Sequence, residues 1–333
     1  MATRRFGSPN GWAAGGLAAG LLALLALASV SLFVGVADLT PGRLLDPATR
    51  EAALVALLES RLPRTAALML AGSCLAIAGV IMQMLTRNRF VEPTTAGTTE
   101  AAGLGMLVML LFFPGAPVMV KSLVAAGFAC AGTALFLRLL RAIPPGSPLL
   151  VPLTGIMFGG IIGSLTAYIA HHYGLIQSLG AWRNGDFSVV IAGRYELLWL
   201  TLALSVLAYL AADRFTIAGL GRDMSRNLGL DHGRTLIVGL VIVSLISALV
   251  VTTVGSIPFL GLVVPNLVSL AMGDNLRRSL PWMALCGAGL VLACDIAGRL
   301  IVAPYEIPAG TVFGVLGSLV FLYLLLGRPS RAA

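Results

Sequence analysis

Long apolar runs alternate with short polar breaks along nearly the whole chain, and the runs have about the 20-residue length that a helix needs to cross a bilayer. Respecting the breaks divides them into about ten segments, at roughly 12–36, 62–86, 94–113, 117–140, 151–172, 194–212, 235–255, 260–273, 281–302 and 309–327. A segment in hydrocarbon must hydrogen-bond its own backbone, so each is expected to be a helix and the fold class all-α, a polytopic membrane bundle. The longest polar stretches, about 37–61, 173–193 and 213–234, are too short to bury a separate core. They read as loops or short helices, and residues 1–333 as a single transmembrane domain.

Two spans carry interruptions. Pro258 and Pro265 break the eighth, and Pro93 with Gly97 introduces the third; interrupted helices of this kind line cavities, where freed backbone groups find water or cargo. Gly155, Gly159 and Gly163 form a row of small residues on one face of the fifth span, suited to close approach of a neighbouring helix or to contact with a substrate.

Composition agrees with the pattern: 58% of the 333 residues are hydrophobic and only 11% charged. Lys and Arg divide as about fourteen on the side of the N-terminus and about eight on the opposite side, which places both termini in the cytoplasm. The net charge of +8 follows from this topology. No basic stripe exists that could track phosphates, so nucleic acid is not an expected partner. Thr3–Arg5 followed by an apolar run with Ala26–Leu27–Ala28 has the outline of a secretory signal, but the run continues through Val36, longer than a signal core. The four cysteines all fall inside spans without metal-type spacing, and no disulfide framework or metal site is expected.

Against this apolar background, Arg222–Arg234 stands out as a Gly-interrupted polar island of thirteen residues carrying three arginines, two aspartates and a histidine. Such groups cost several kcal/mol each in hydrocarbon, so the island lies in water or against protein. Arg61 and Arg64 at the outer start of the second span, and Arg299 near the outer end of the ninth, run against the positive-inside tendency and need another reason to be there. For Arg299 one candidate reason is Asp295, a turn earlier. Glu100 and Asp295 are the carboxylates placed well within the membrane; Glu100, with Thr98 and Thr99, either lines a path or ties two helices together. His171 and His172 are adjacent, so their rings diverge by about 100° on a helix and cannot share a metal; they read as an outer-end cap. No Walker loop, His-Glu-x-x-His motif or nucleophile elbow is present, so no catalytic residue is expected and any energy from ATP must come from a partner. An ion-coupled secondary transporter is the competing class. It would have only Glu100 and Asp295 for a coupling site and would leave the polar island unexplained.

Five ordered motifs then carry a resemblance: Arg61–Leu–Pro–Arg64; Gln83–Asn88 running into Glu92–Gly97; Asn227–Leu–Gly–Leu230; Phe259–Pro265; and Asp295–Arg299 followed by Glu306–Gly310. From about residue 50 onward the chain resembles the FecCD-type permeases, membrane subunits of ABC importers for ferric siderophores, haem and cobalamin. The resemblance implies a type II importer permease of ten helices. Its partners would be a second permease (an identical copy or a paralogue), two cytoplasmic ATPase subunits that hold the ATP and magnesium, and a periplasmic or lipid-anchored siderophore-binding protein. No cofactor is implied for this chain. By resemblance, Arg222, Arg226, Asn227, Leu228, Gly229 and Arg234 form the ATPase-coupling element within about 213–234, and Arg61, Arg64 and Arg299 receive acidic residues of the binding protein. Thr98, Thr99, Glu100, Pro265 and Asn266 belong to the translocation path, and Pro148, in the turn Pro144–Pro148, falls where relatives close the inner gate. That turn is also what any tight membrane turn looks like. The chain departs from the common pattern at Asn88–Pro93 and at Val264–Pro–Asn266 with Ser269, and its motifs lean toward the branch serving catecholate-type siderophores. The expected place is the bacterial inner membrane.

Overall fold

A computed structural model describes residues 9–35, 40–140, 142, 150–178, 184–193 and 195–326, and among these every regular element is a helix. In chain order they are α1 (Pro9–Phe33), α2 (Pro41–Leu45), α3 (Arg50–Ala56), α4 (Leu62–Thr86), α5 (Thr98–Phe112), α6 (Val118–Leu140), α7 (Leu150–His172), α8 (Leu197–Leu210), α9 (Ala212–Gly219), α10 (Arg222–Asn227), α11 (His232–Val254), α12 (Leu260–Met272), α13 (Leu276–Ile301) and α14 (Ala309–Leu326). Six are long and apolar enough to cross a membrane, α8 and α9 form a further pair bent by 64°, and α5, α12 and α14 are shorter apolar helices. These coincide with the ten apolar segments read from the sequence.

Helix α4 is the axis of the bundle. It packs against α8, α11, α12 and α13, and most of its side chains are buried. Two glycine pairs set its closest approaches. A Cβ at Gly72 would collide with the Gly287 backbone of α13, and one at Gly79 with the Gly261 backbone of α12. Backbones in that proximity gain dispersion contacts that bulkier residues would forbid.

Three prolines lie inside continuous helix: Pro265, read from the sequence as a break, and Pro63 and Pro281, which fall where the second and ninth spans were expected to begin. Residues 50–61, expected outside the membrane, run on through a π turn at Leu57–Arg61 into α4, giving one 37-residue rod. Pro63 has no N–H for the Glu59 carbonyl four residues back, and the backbone N–H of Ala192 donates to that carbonyl at 2.9 Å. In α12, Pro265 likewise deprives the Gly261 carbonyl of its partner, and the buried Gln83 Nε2 of α4 donates to it at 3.2 Å. The ninth span starts earlier than Pro281 marked it. Asn275 caps α13, its side chain accepting from the Arg278 N–H at 3.3 Å, and Pro281 is an interior residue.

The start of α12 is also held from outside the helix. Glu92, buried in the connection between α4 and α5, accepts from the Phe259 N–H at 2.7 Å, and the Gly261 N–H also donates to it. A carboxylate here satisfies donors that a helix start otherwise leaves orphaned and suits the positive end of the dipole. Phe259, the residue before α12, is left-handed at φ 65° without being glycine. Replacing Gln83 by Met keeps the volume and removes the donor to Gly261. The expected cost is about 1–3 kcal/mol, seen as a lower thermal midpoint of the detergent-extracted protein.

Candidate functional site

The polar island folds into a short exposed helix, α10. Gly229, at φ 75°, ends it: its N–H donates to the Arg226 carbonyl at 2.9 Å while the Leu230 N–H reaches back to Ser225 at 2.8 Å. This double bond pattern around a left-handed glycine is the Schellman termination. Ser225 is the buried foot of the helix, its Oγ donating to the Gly221 carbonyl at 2.6 Å. Asp231 then caps α11 by accepting from the Arg234 N–H at 3.1 Å. Arg222, Arg226, Asn227, Leu228, Gly229 and Arg234 are all exposed, as is Met224. The result is a rigid knuckle with an apolar tip between guanidiniums.

The other arginines are placed quite differently. Arg64 donates to Asp295 Oδ1 from Nη2 at 2.7 Å and to Glu306 Oε2 from Nη1 at 2.7 Å, while Arg299 Nη2 lies 2.6 Å from Asp295 Oδ2. Side-chain exposure is 10% for Arg64 and 1% for both Asp295 and Arg299. Arg299 also donates to the Ser31 and Val34 carbonyls at 2.9 and 2.5 Å, and Arg61 donates to Val34 at 2.6 Å. Those carbonyls belong to the end of α1, whose last turns lack helical partners and carry about half a negative charge. Arg61 fits because residue 35 is glycine: its guanidinium occupies the space a Cβ at Gly35 would take. Three cations thus meet two carboxylates and a helix C-terminus, which gives the out-of-place arginines their reason. Their burial inside the chain is what the docking expectation for Arg61, Arg64 and Arg299 did not foresee. Pairing with Asp295, the other reading open for Arg299, is realised.

The arginine network and α10 lie at opposite ends of the bundle. Arg299 is near the C-terminal end of α13, and at its N-terminal end Arg277 pairs with Asp213 of α9, the helix that leads into α10, at 2.6 Å.

Between the two ends, a cavity of about 660 Å³ opens where α5, α7 and the turn after α11 meet. Glu100, half-buried, projects into it beside the glycine row of α7; a Cβ at Gly159 would sit 3.4 Å from the carboxylate. Thr99 Oγ1 donates to Glu100 Oε2 at 3.0 Å. Gly155 of the same row receives the Thr95 carbonyl and Gly159 the Gly97 backbone, so the row serves close packing of the connection entering α5. Phe259 closes one side of the cavity, stacked on Phe321 of α14 with centroids 6.1 Å apart.

Of the residues assigned to the path from the sequence, Thr99 and Glu100 line this cavity and three others do not. Thr98 faces the core, its hydroxyl 2.6 Å from that of Thr133 of α6. Pro265 is buried, and Asn266 Nδ2 donates to the Arg89 and Leu262 carbonyls at 2.8 Å, fixing α12 to the connection between α4 and α5. Pro148 and its turn lie outside the described residues. His171 and His172 do end α7, and among the described residues no group of His, Cys, Asp or Glu could hold a metal ion. Sequence reasoning gave no role to Gln83, Glu92 or Phe259, although each opens one of the motifs that carry the resemblance, and it passed over Ser164 and Ser256.

The comparisons with known proteins agree with this architecture. The model of the FecCD transport family matches residues 21–327. The petrobactin import system permease protein YclN of Bacillus subtilis is 49% identical over 309 residues, which cover 93% of this chain and 97% of the relative. The ferric-anguibactin transport system permease protein FatD of Vibrio anguillarum is 40% identical, with 92% of this chain and 97% of the relative covered. A solved metal-chelate type ABC transporter in an inward-facing conformation superposes with a TM-score of 0.80, covering 95% of this chain and all of that one. At 22% identity this likeness bears on the fold alone.

Asp295 is the shared acceptor of the arginine network. Asp295→Asn should leave two buried guanidiniums undercompensated and destabilise the folded protein by about 3–5 kcal/mol, measured by thermal unfolding in detergent. Changing Asp295, Arg64 and Arg299 together to apolar residues of similar volume should recover much of that loss, because it removes the buried charges along with their partner.

Proposed function

Because the chain belongs to the FecCD transport family, a family of ABC-importer permeases, we propose that it is the membrane subunit through which a bacterial ABC importer moves ferric siderophores across the inner membrane. The names of its relatives support a siderophore cargo, and the motif pattern supports the catecholate class within it. The observation that carries the reading is α10: a cationic helix held out from an apolar body, locked at its end by Gly229 and rooted by Ser225. A chain with no nucleotide-binding loop needs such a handle.

In this reading the exposed Arg222, Arg226 and Arg234, with Leu228 at the tip, seat in a groove of a cytoplasmic ATPase that binds ATP and magnesium. The arginines fix register against acidic residues and the leucine supplies apolar contact. Both termini then face the cytoplasm, and residues 1–333 act as one transmembrane unit. The cavity at Glu100 is this chain's share of a path completed by a second permease. The end bearing the arginine network faces the binding protein. There Arg61, Arg64 and Arg299 act by holding the docking face in shape, and Glu306, about a quarter exposed, is the network member nearest to an incoming partner.

A secondary transporter fits less well. Asp295, one of the two carboxylates the sequence offered such a carrier, is locked between Arg64 and Arg299, and the buried Glu92 is engaged by the N–H groups at the start of α12.

Charge reversal by Arg226→Glu tests the reading. The variant should insert and fold normally but co-purify with its ATPase about tenfold less, with uptake reduced in step. Full assembly and uptake at normal expression would remove α10 from the coupling role.

A further inference from the structure

Helices α1 and α13 run side by side in the same direction. A Cβ at Gly16 of α1 would lie 3.1 Å from the Trp282 ring of α13, one at Gly20 would lie 3.3 Å from Leu285, and Arg299 holds the Ser31 and Val34 carbonyls at the far end. On α13, Arg278 stands about 32 Å from Arg299 at 1.5 Å per residue, close to the roughly 30 Å of a bilayer's hydrocarbon core. With the arginine network at one boundary, Arg278 falls at the opposite headgroup level. Trp282, one turn further in and on the same face, falls at the depth where indole rings settle. The face borders lipid, because α1 itself leaves Leu21, Leu22 and Leu25 exposed.

The two ends of this seam are satisfied differently. Arg299 is buried among protein acceptors, whereas Arg278 is exposed. Its neighbour Arg277 turns toward α9 and pairs with Asp213, and Asp274 is taken by Arg89. Among the described residues no carboxylate pairs with Arg278. The remaining residues of the chain contain one acidic side chain, Asp38, which follows the other end of α1 in sequence, while those preceding α1 include Arg4 and Arg5. An anion for Arg278 must therefore come from outside the chain, at the depth of lipid phosphates.

We propose that Arg278 and Trp282 form a binding site for an anionic phospholipid of the cytoplasmic leaflet, lodged at the seam of α1 and α13. The planar guanidinium matches two phosphate oxygens, and the indole lies against the glycerol region below them. Bound there, the lipid pins the inner end of α1 to α13, as the Ser31 and Val34 contacts pin the outer end. The choice of leaflet rests on the orientation proposed above; the site itself depends on neither the cargo nor the ATPase.

Trp282 is its own reporter. Trp12→Phe, Trp182→Phe and Trp199→Phe together leave it as the sole indole of the full-length chain, which is reconstituted in vesicles carrying brominated phosphatidylglycerol or, for comparison, brominated phosphatidylcholine at the same mole fraction. Both leaflets hold the same lipid, so the result stands apart from orientation and from the importer reading. Quenching by the anionic lipid should exceed that by the zwitterionic one with a preference of about fivefold, the scale of one arginine near an anionic surface. Arg278→Gln should erase the preference, and Arg278→Lys should keep most of it. Equal quenching by the two lipids, or an undiminished preference in Arg278→Gln, overturns the site. Should Arg278→Gln fail to reconstitute, salt carries the test: the preference should decline as sodium chloride is raised, since exposed charges are screened, and a preference indifferent to salt overturns the proposal equally.

Discussion

Asp295 sits where four parts of the chain must agree. Its two oxygens hold Arg64 of α4 and Arg299 of α13; Arg64 holds Glu306 in the approach to α14; Arg299, with Arg61, closes the carbonyl end of α1. Charges this deeply buried stabilise nothing on balance unless each finds a partner, since desolvation consumes most of the Coulombic gain. Their value is in specificity. Apolar helices slide and rotate against one another at little cost in hydrocarbon, whereas a carboxylate that must meet two guanidiniums permits one register. The network thereby fixes the relative height of α1, α4 and α13, and through α4 that of the helices packed around it.

The short helix α12 is held by the same logic, here by one carboxyl group and one amide. It begins at a strained left-handed Phe259 and contains a proline, both unfavourable in isolation. Glu92 takes the donors at its start and Gln83 supplies the donor that Pro265 cannot, so α4 and the connection after it complete a helix that its own sequence leaves unfinished. The glycine contact between residues 79 and 261 is what brings α4 near enough for this. One wall of the cavity is therefore built by residues that never touch it.

Much of this was legible in the sequence. The ten apolar segments, the turn at Gly229 and the partnership of Arg299 with Asp295 follow from span length, left-handed glycine chemistry and the spacing of one helical turn. What escaped was decided by distant partners. Pro63 and Pro265 look like breaks until Ala192 and Gln83, far along the chain, are seen to fill the missing hydrogen bonds. Thr98 and Thr99 are alike in type and adjacent, and only the rotation of α5 sends one to Thr133 and the other to the cavity. Arg61 and Arg64 look like surface charges because nothing in their neighbourhood announces that α1 ends beside them.

Helix α11 joins two features described separately. Its first turn follows directly on α10, and its last residue, Val254, leads through Gly255 to the cavity-lining residues Ser256, Pro258 and Phe259. At 1.5 Å per residue its 23 residues make a strut about 34 Å long. Pivoting such a strut about its cavity end by about 5° would displace the α10 end by about 3 Å, and pivoting it about the α10 end would move the cavity wall as far. A modest tilt at the exposed knuckle and a change in the width of the cavity are, in this geometry, two ends of the same motion.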